Sequence, residues 1–241
     1  MTNPAAKPGA LHLIPVPLGD ADPHLTLSGS AIEAARTLDY FLAENAKSAR
    51  QFLKLIAHPR PLREISIECF DKDSDRARAA ELLKPLLDGR SAGVLSEAGS
   101  PAIADPGSLL VAAAHRGKIR VVPHSGPSAI MLALMASGFN GQHFEFHGYL
   151  PVGRDELKQA LVTLERTSRE RDITQIFIET PYRNDQLLAT LCDSCKADTR
   201  LCVASDLTLP GESINSMAIA DWRTGRLEIG RRPAVFLLYA R

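Results

Sequence analysis

Short apolar runs alternate with stretches of helical period along most of the chain, and this alternation constrains the fold more than any other feature. The runs Leu11–Val16, Ala92–Ser96 and Arg120–Pro123 have the length and character of strands. The intervening segment Ser74–Leu87 places its apolar residues at helical spacing, and Pro85 predicts a kink or a new helix in its last turn. Strands that alternate with helices form βαβ units, so we predict an α/β protein whose first sheet is mostly parallel.

The second half of the chain predicts a separate α/β domain. Its last strands, Glu212–Ser216 and Ala234–Tyr239, follow with no obvious helix between them, so the second sheet is expected to be mixed. A chain of 241 residues is long enough to bury two cores. We therefore predict an N-terminal α/β domain over 1–123 and a C-terminal α/β domain over 124–241.

Charge and cysteine content narrow the classes of partner and compartment. Lys plus Arg equals Asp plus Glu at 28 each, which counts against a broad RNA-binding face. Four cysteines in a chain of this length do not make a disulfide scaffold, so a reducing, cytoplasmic location is expected. No run approaches the roughly 20 apolar residues that span a membrane, and Met1–Ala10 is predicted to be a flexible lead.

The candidates for a local basic patch are Arg223, Arg226, Arg231 and Arg232.

Three segments rich in Gly and Pro follow predicted strands, namely Pro15–Asp20, Ser96–Gly107 and His124–Ala129. Ligands of open α/β sheets bind at the carboxyl ends of strands, and a helix N-terminus attracts an anion such as a carboxylate. Glycine lets the backbone approach a ligand, so Gly126 is a candidate contact, while proline stiffens the loop. Each segment alone also fits a rigid turn, but three at strand ends favour a ligand site.

The residues of these loops resemble those of the tetrapyrrole-methylase superfamily. The matching runs are Leu95–Gly107, which reads LSEAGSPAIADPG, and Ser125–Ala129, which reads SGPSA. The segments Pro15–Asp20, Thr174–Tyr182 and Ser205–Glu212 match in the same order. The resemblance lies near the branch of 16S rRNA ribose 2′-O-methyltransferases. It implies a methyltransferase that uses S-adenosylmethionine (AdoMet), with the cofactor in a cleft between two α/β domains, and a homodimer.

The resemblance also implies which residues contact the cofactor. From the three Gly/Pro-rich loops these are Pro17, Gly99, Ser100, Ile103, Ser128 and Ala129. From the second half Thr180, Leu207, Thr208 and Pro233 would surround the adenine.

One segment departs from the rRNA branch. That branch reads approximately A-E-D-T-R after the second strand, whereas Ala43–Arg50 reads AENAKSAR and retains, from the polar core of that motif, only the acidic residue Glu44. This difference and the zero net charge predict that the chain is not the main 16S rRNA ribose methyltransferase of its cell. The acceptor stays open between a small molecule, a tetrapyrrole-like compound and RNA, and an AdoMet-binding protein without turnover is the alternative of another class.

Methyl transfer from a sulfonium requires in-line alignment of the acceptor and exclusion of water, and it needs no metal. A hydroxyl acceptor also benefits from a general base. The candidate catalytic residues are Glu44, Lys47, Glu97 and Asp105. Glu44 and Asp105 equally suit turn or helix-cap hydrogen bonding, and Lys47 is better suited to bind a substrate anion than to act as a base.

Two patterns resemble metal sites but do not predict one. The pair Cys192 and Cys195, with Cys202 nearby in sequence, lacks a second C-x-x-C motif or a neighbouring histidine. His143 and His147 share a strand face with a glutamate between them, yet ligands on one straight strand lie too far apart for a single ion. We therefore predict no metal.

Overall fold

The computed structural model describes residues 8–225 and 228–241. Part of the predicted lead, residues 1–7, and Arg226 of the predicted basic patch lie outside the described residues. Contacts between α-carbons divide the chain into two units after Ser128, whereas the sequence placed the division after Pro123.

The first unit contains a five-stranded sheet in the order β3-β2-β4-β1-β5, and every neighbouring pair is parallel. This arrangement confirms the predicted parallel sheet. The strands are β1 (Ala10–Leu13), β2 (Tyr40–Ala43), β3 (Ser66–Cys69), β4 (Ala92–Leu95) and β5 (Arg120–Pro123). The helices are α1 (Pro23–Thr26), α2 (Gly29–Thr37), α3 (Ala46–Leu55), a 3-10 turn (Leu62–Glu64), α4 (Arg76–Leu82), α5 (Lys84–Leu87) and α6 (Ser108–Arg116).

Both faces of this sheet are buried, which explains why its central strands read as continuous apolar runs. Leu42 of β2 packs on the face that includes Leu110 of α6. Its neighbour Phe41 points to the opposite face and packs with Leu53 of α3. Because successive side chains of a strand alternate between faces, one short strand supplies both cores.

The helical segment predicted over Ser74–Leu87 is divided in two. Pro85 lies in the first turn of α5, where its missing N–H breaks no helical hydrogen bond. Helix α4 begins after Asp75, whose carboxylate caps it by accepting a 2.8 Å hydrogen bond from the Arg78 N–H.

The second unit contains a mixed five-stranded sheet in the order β6-β7-β10-β8-β9, as predicted. Strands β6 and β7 are parallel and the other pairs are antiparallel. The strands are β6 (Phe144–Tyr149), β7 (Thr174–Ile178), β8 (Arg200–Ser205), β9 (Ser213–Ala218) and β10 (Ala234–Tyr239). The helices are α7 (Ala129–Ser137), α8 (Arg154–Arg171), a 3-10 turn (Pro181–Arg183), α9 (Asn184–Ser194) and α10 (Ile219–Thr224). In the part of the chain that the structure describes, no helix has the length and apolarity to cross a membrane.

Candidate active site

The three Gly/Pro-rich loops of the first unit are joined to one another. The main chains of Val16 and Gly99 pair, with N–H to carbonyl distances of 2.9 and 3.1 Å, and this connects the first loop to the second. The Ser100 hydroxyl donates to the Pro127 carbonyl at 3.1 Å, which connects the second loop to the third. Parallel strands bring their carboxyl ends to one edge of a sheet, so these predicted segments meet where ligands of such folds bind.

The second loop has an unusual backbone. Gly99 and Gly107 have φ values of +70° and +143°, and Ala102 and Ala104 adopt +66° and +65°. A positive φ is uncommon for alanine, and such conformations cost of order 1–3 kcal/mol each and cluster at functional sites. The side chain of Ile103, between the two alanines, is 51% exposed although it is large and apolar. This loop therefore presents an apolar side chain from a strained backbone.

Gly126 has a packing role that its sequence context did not reveal. A Cβ at this position would lie 2.2 Å from Pro15 Cγ and 3.2 Å from Leu27 Cδ2. The third loop thus packs against the first through the bare backbone of Gly126. The predicted approach of this glycine to a ligand stays a prediction.

Three of the four candidate catalytic residues, Glu44, Glu97 and Asp105, lie close enough for their charges to interact, and we call them the carboxylate cluster. Glu44 directly follows strand β2, Glu97 lies two residues after the neighbouring strand β4, and Asp105 comes from the strained loop. Burial raises the pKa of Asp105 to about 6, and the charges of Glu44 and Glu97 contribute to the increase. Burial also raises the pKa of Glu44, followed by the charges of Glu97 and Asp71. The cluster therefore contains a carboxylate that exchanges its proton near neutral pH.

The segment Ala43–Arg50, which differs from the rRNA branch, contains the start of helix α3, and Asn45 caps this helix. The Asn45 side-chain oxygen accepts from the N–H groups of Lys47 at 2.8 Å and Ser48 at 3.5 Å. Aspartate at an N-cap accepts the same bonds, so the replacement in this chain preserves the helix start. The Ser48 hydroxyl donates to Glu97 Oε1 at 3.0 Å and so anchors one carboxylate of the cluster to α3. Sequence reasoning missed both Asn45 and Ser48, although an asparagine just before a helix is a recognisable cap signal.

A cavity of about 190 Å³ lies beside this cluster in the first unit. Pro17 of the first loop and Glu97 line it together with five residues of α3, namely Ser48, Ala49, Gln51, Phe52 and Leu55. The cavity thus brings together Pro17, predicted to contact the cofactor, and Glu97, predicted to be catalytic. The exposed Lys47 lies on the same helix and forms no ion pair with a residue that the structure describes.

In the second unit, three of the four predicted adenine contacts gather at one end of the sheet. The Asp206 N–H donates to the Pro233 carbonyl at 3.1 Å, which brings Leu207 and Thr208 to the start of β10. Thr208 has a φ of +68°, and its buried hydroxyl oxygen has no hydrogen-bond partner. A strained, unsatisfied threonine is costly for the fold alone, which marks it as a candidate ligand contact. Thr180 follows β7, the neighbour of β10 in the sheet.

The cysteines and histidines weighed as metal ligands have other surroundings. Burial raises the pKa of Cys195 to about 12 and that of Cys202 to about 11, so both thiols stay protonated at neutral pH. His147 contacts the side chain of Gln175. Over the described residues, no group of three or more His, Cys, Asp or Glu side chains is arranged to hold a metal ion.

The predicted basic patch near the C-terminus is largely engaged within the fold. The Arg223 guanidinium donates to the Cys192 and Cys195 carbonyls, both at 2.8 Å. Arg232 donates to the Ile229 carbonyl at 2.8 Å, and Arg231 lies over the Tyr182 ring at 5.2 Å. Because these arginines donate to backbone carbonyls or stack on an aromatic ring, the structure gives no support for a phosphate-binding role.

The chain resembles known proteins in sequence and in fold. A family model described as "Tetrapyrrole (Corrin/Porphyrin) Methylases" matches residues 10–221. The chain is 33% identical to ribosomal RNA small subunit methyltransferase I of Xylella fastidiosa strain Temecula1, covering 91% of this chain and 76% of the relative. It is 30% identical to the protein of the same name from Vibrio cholerae, covering 88% and 69%. The crystal structure of the methyltransferase CobJ shares its fold at a TM-score of 0.62 and 16% identity, covering 97% of this chain and 100% of the other.

Proposed function

The chain belongs to the tetrapyrrole (corrin/porphyrin) methylase family of AdoMet-dependent methyltransferases, and from that premise we propose that it methylates a hydroxyl group of RNA. The observation that carries the proposal is the carboxylate cluster, in which Asp105 has a pKa of about 6. A hydroxyl must lose its proton as it is methylated, and a base is most effective when its pKa lies near the working pH. The names of the curated relatives support RNA as the class of acceptor.

The loop residues of this chain fit the cofactor of this family. AdoMet supplies an activated methyl group on a sulfonium, so no metal is needed for the transfer. In the first unit we assign its contacts to Pro17, Gly99, Ser100, Ile103, Gly126 and Ser128. In the second unit we assign Ala129, at the start of α7, with Thr180, Leu207, Thr208 and Pro233. The strained second loop, the exposed Ile103 and the unpaired Thr208 hydroxyl support these assignments.

In this proposal the protein's own groups orient the acceptor and remove its proton. Asp105 accepts the proton, and the negative charges of Glu44 and Glu97 increase its affinity for that proton. Ser48 orients Glu97 through its 3.0 Å hydrogen bond. The hydrogen bonds among the three loops preorganise their backbone, which lowers the cost of positioning the reactants.

Two other readings remain as outcomes to be tested. Zero net charge favours a small-molecule or tetrapyrrole-like acceptor over RNA, and a protein that binds AdoMet without turnover would need no base. That the chain is not the main 16S rRNA ribose methyltransferase stays a prediction. The homodimer and the cytoplasmic location also stay predictions; sedimentation of the purified chain and fractionation of cells would check them.

The proposal is tested by comparing RNA from cells with and without the gene for this chain. Nucleosides from total digested RNA, separated by mass spectrometry, are expected to lose one ribose-methylated species that a plasmid copy restores. Mapping the site in small-subunit rRNA tells whether the acceptor is the ribosomal one. An unchanged set of RNA nucleosides together with a changed small-molecule pool would replace RNA by a small acceptor.

A further inference from the structure

Helix α3 carries a basic stripe that we define as Lys47, Arg50 and Lys54. All three residues are exposed. At about 100° per residue, their side chains lie within roughly 60° of one another around the helix axis, and they span about 10 Å along it. The helix contains neither Asp nor Glu, although the chain as a whole has as many acids as bases. The basic stripe is therefore a local excess of positive charge in a neutral protein.

The stripe borders the cavity described above. Gln51 and Leu55 of the same helix line the cavity, and Gln51 lies between Lys47 and Leu55 around the helix axis. Leu55 is 46% exposed although it is apolar. One surface of α3 thus presents cations on one side and, on the adjacent side, an apolar residue at the edge of a cavity that contains Glu97.

We infer that the basic stripe of α3 binds the phosphates of a single-stranded segment of the acceptor RNA. This inference rests on the proposed function. Lys and Arg supply most of the affinity of a protein for a nucleic-acid backbone. The cavity, in contrast, is bordered by the acids Asp20 and Glu97, which would repel phosphates. The cavity would therefore accept the uncharged sugar or base. The same arrangement makes Lys47 an anion-binding residue and not a base.

The experiment measures RNA binding without AdoMet, so it does not depend on turnover. A fluorescein-labelled, mixed-sequence single-stranded RNA of about 12 nucleotides is titrated at several salt concentrations. The triple variant Lys47→Ala, Arg50→Ala and Lys54→Ala is expected to bind at least about tenfold more weakly at low salt. Its slope of log affinity against log salt should be shallower by about 2 than that of the parent, since each phosphate contact contributes about 0.7.

A matched control removes the same charges elsewhere in the first unit. Lys72, Arg76 and Lys84 are also exposed and form no ion pair among the described residues, so their triple alanine variant is expected to bind RNA as the parent does. The double variant Arg50→Ala and Lys54→Ala, which retains Lys47, should lose part of the affinity. Circular dichroism confirms that each variant is folded.

The outcomes separate this inference from the proposed function. RNA binding that is equal in the parent and the stripe variant, or absent in the parent, would overturn the inference. Loss of binding confined to the stripe variants supports it even if no RNA accepts a methyl group, in which case the proposed function alone fails. Methylation of RNA with an unchanged KM in the stripe variant leaves the proposed function standing and removes the role of α3.

Discussion

Gly126 and Pro15 pack so closely that a single added carbon on the glycine would stand 2.2 Å from the proline ring. We predict that Gly126→Ala lowers the free energy of unfolding by about 1–3 kcal/mol, the usual cost of overpacking, and the melting temperature by about 2–4 °C per kcal/mol. Thermal denaturation measures the effect. Gly29→Ala is the control, because no atom lies within 4 Å of a Cβ there. Equal melting temperatures for Gly126→Ala and the parent would show that the two loops do not pack in this way.

Asp105→Asn is predicted to abolish most of the activity and to stabilise the fold at neutral pH. The folded-state pKa of about 6 lies above the reference value of 3.8, so protonation favours the folded state. That stabilisation is complete below about pH 3.8 and is lost as the pH rises through about 6. After solvent screening, we expect Asp105→Asn to add about 1 kcal/mol at pH 7.

The pH profile of the parent provides a second measurement of the same residue. Because the ionised carboxylate is the base, kcat/KM should fall as the pH decreases through about 6. Any residual activity of Asp105→Asn should lack this limb. A variant that keeps the parent's rate and pH limb would assign the base to another residue, with Glu44→Gln the next to test.

Thr208→Val replaces an unpaired hydroxyl by a methyl group of similar size. Because the buried Thr208 oxygen has no partner in the protein, we expect the melting temperature to stay the same or to rise. If the hydroxyl contacts AdoMet, calorimetric titration should show a loss of affinity of about tenfold. Thr190→Val is the contrast, since its hydroxyl donates to the Gln186 carbonyl at 2.8 Å. That variant should lose stability and keep its AdoMet affinity, and identical affinities for both variants would remove Thr208 from the site.

Substitutions of Asn45 test whether the change from Asp to Asn in the segment Ala43–Arg50 alters stability or activity. Asn45→Ala removes the cap of α3 and is expected to cost about 1 kcal/mol of stability. Asn45→Asp keeps the cap, so its melting temperature and methyl transfer should match those of the parent. Both are measured by thermal denaturation and by transfer of labelled methyl groups. A large loss of activity in Asn45→Asp alone would show that the amide itself contacts the acceptor.

The elements with the strongest local signal could be predicted closely from the sequence. Strands β5 and β10 begin and end where their apolar runs predicted, because β-branched and apolar residues are bounded there by turn residues. The loops Pro15–Asp20 and Ser96–Gly107 were recognisable from Gly and Pro, and the structure joins them.

Features that depend on tertiary contacts could not be predicted in this way. Glu44 comes from a different segment than Glu97 and Asp105, and it approaches Glu97 because β2 and β4 are neighbours in the sheet. Strand order is not visible in local periodicity. The close packing of Gly126 against Pro15 likewise depends on residues that are distant in sequence. The unpaired oxygen of Thr208 accompanies a strained backbone that the sequence does not reveal.

The central claim is methyl transfer to an RNA hydroxyl with Asp105 as the base. It is tested most directly by incubating the protein and radiolabelled AdoMet with separated RNA, protein and small-molecule fractions from cells that lack the gene. We predict that label enters the RNA fraction as an alkali-stable ribose methyl group, and that Asp105→Asn transfers less than about a hundredth as much. Label confined to the small-molecule fraction, or RNA labelled equally by Asp105→Asn, would contradict this claim.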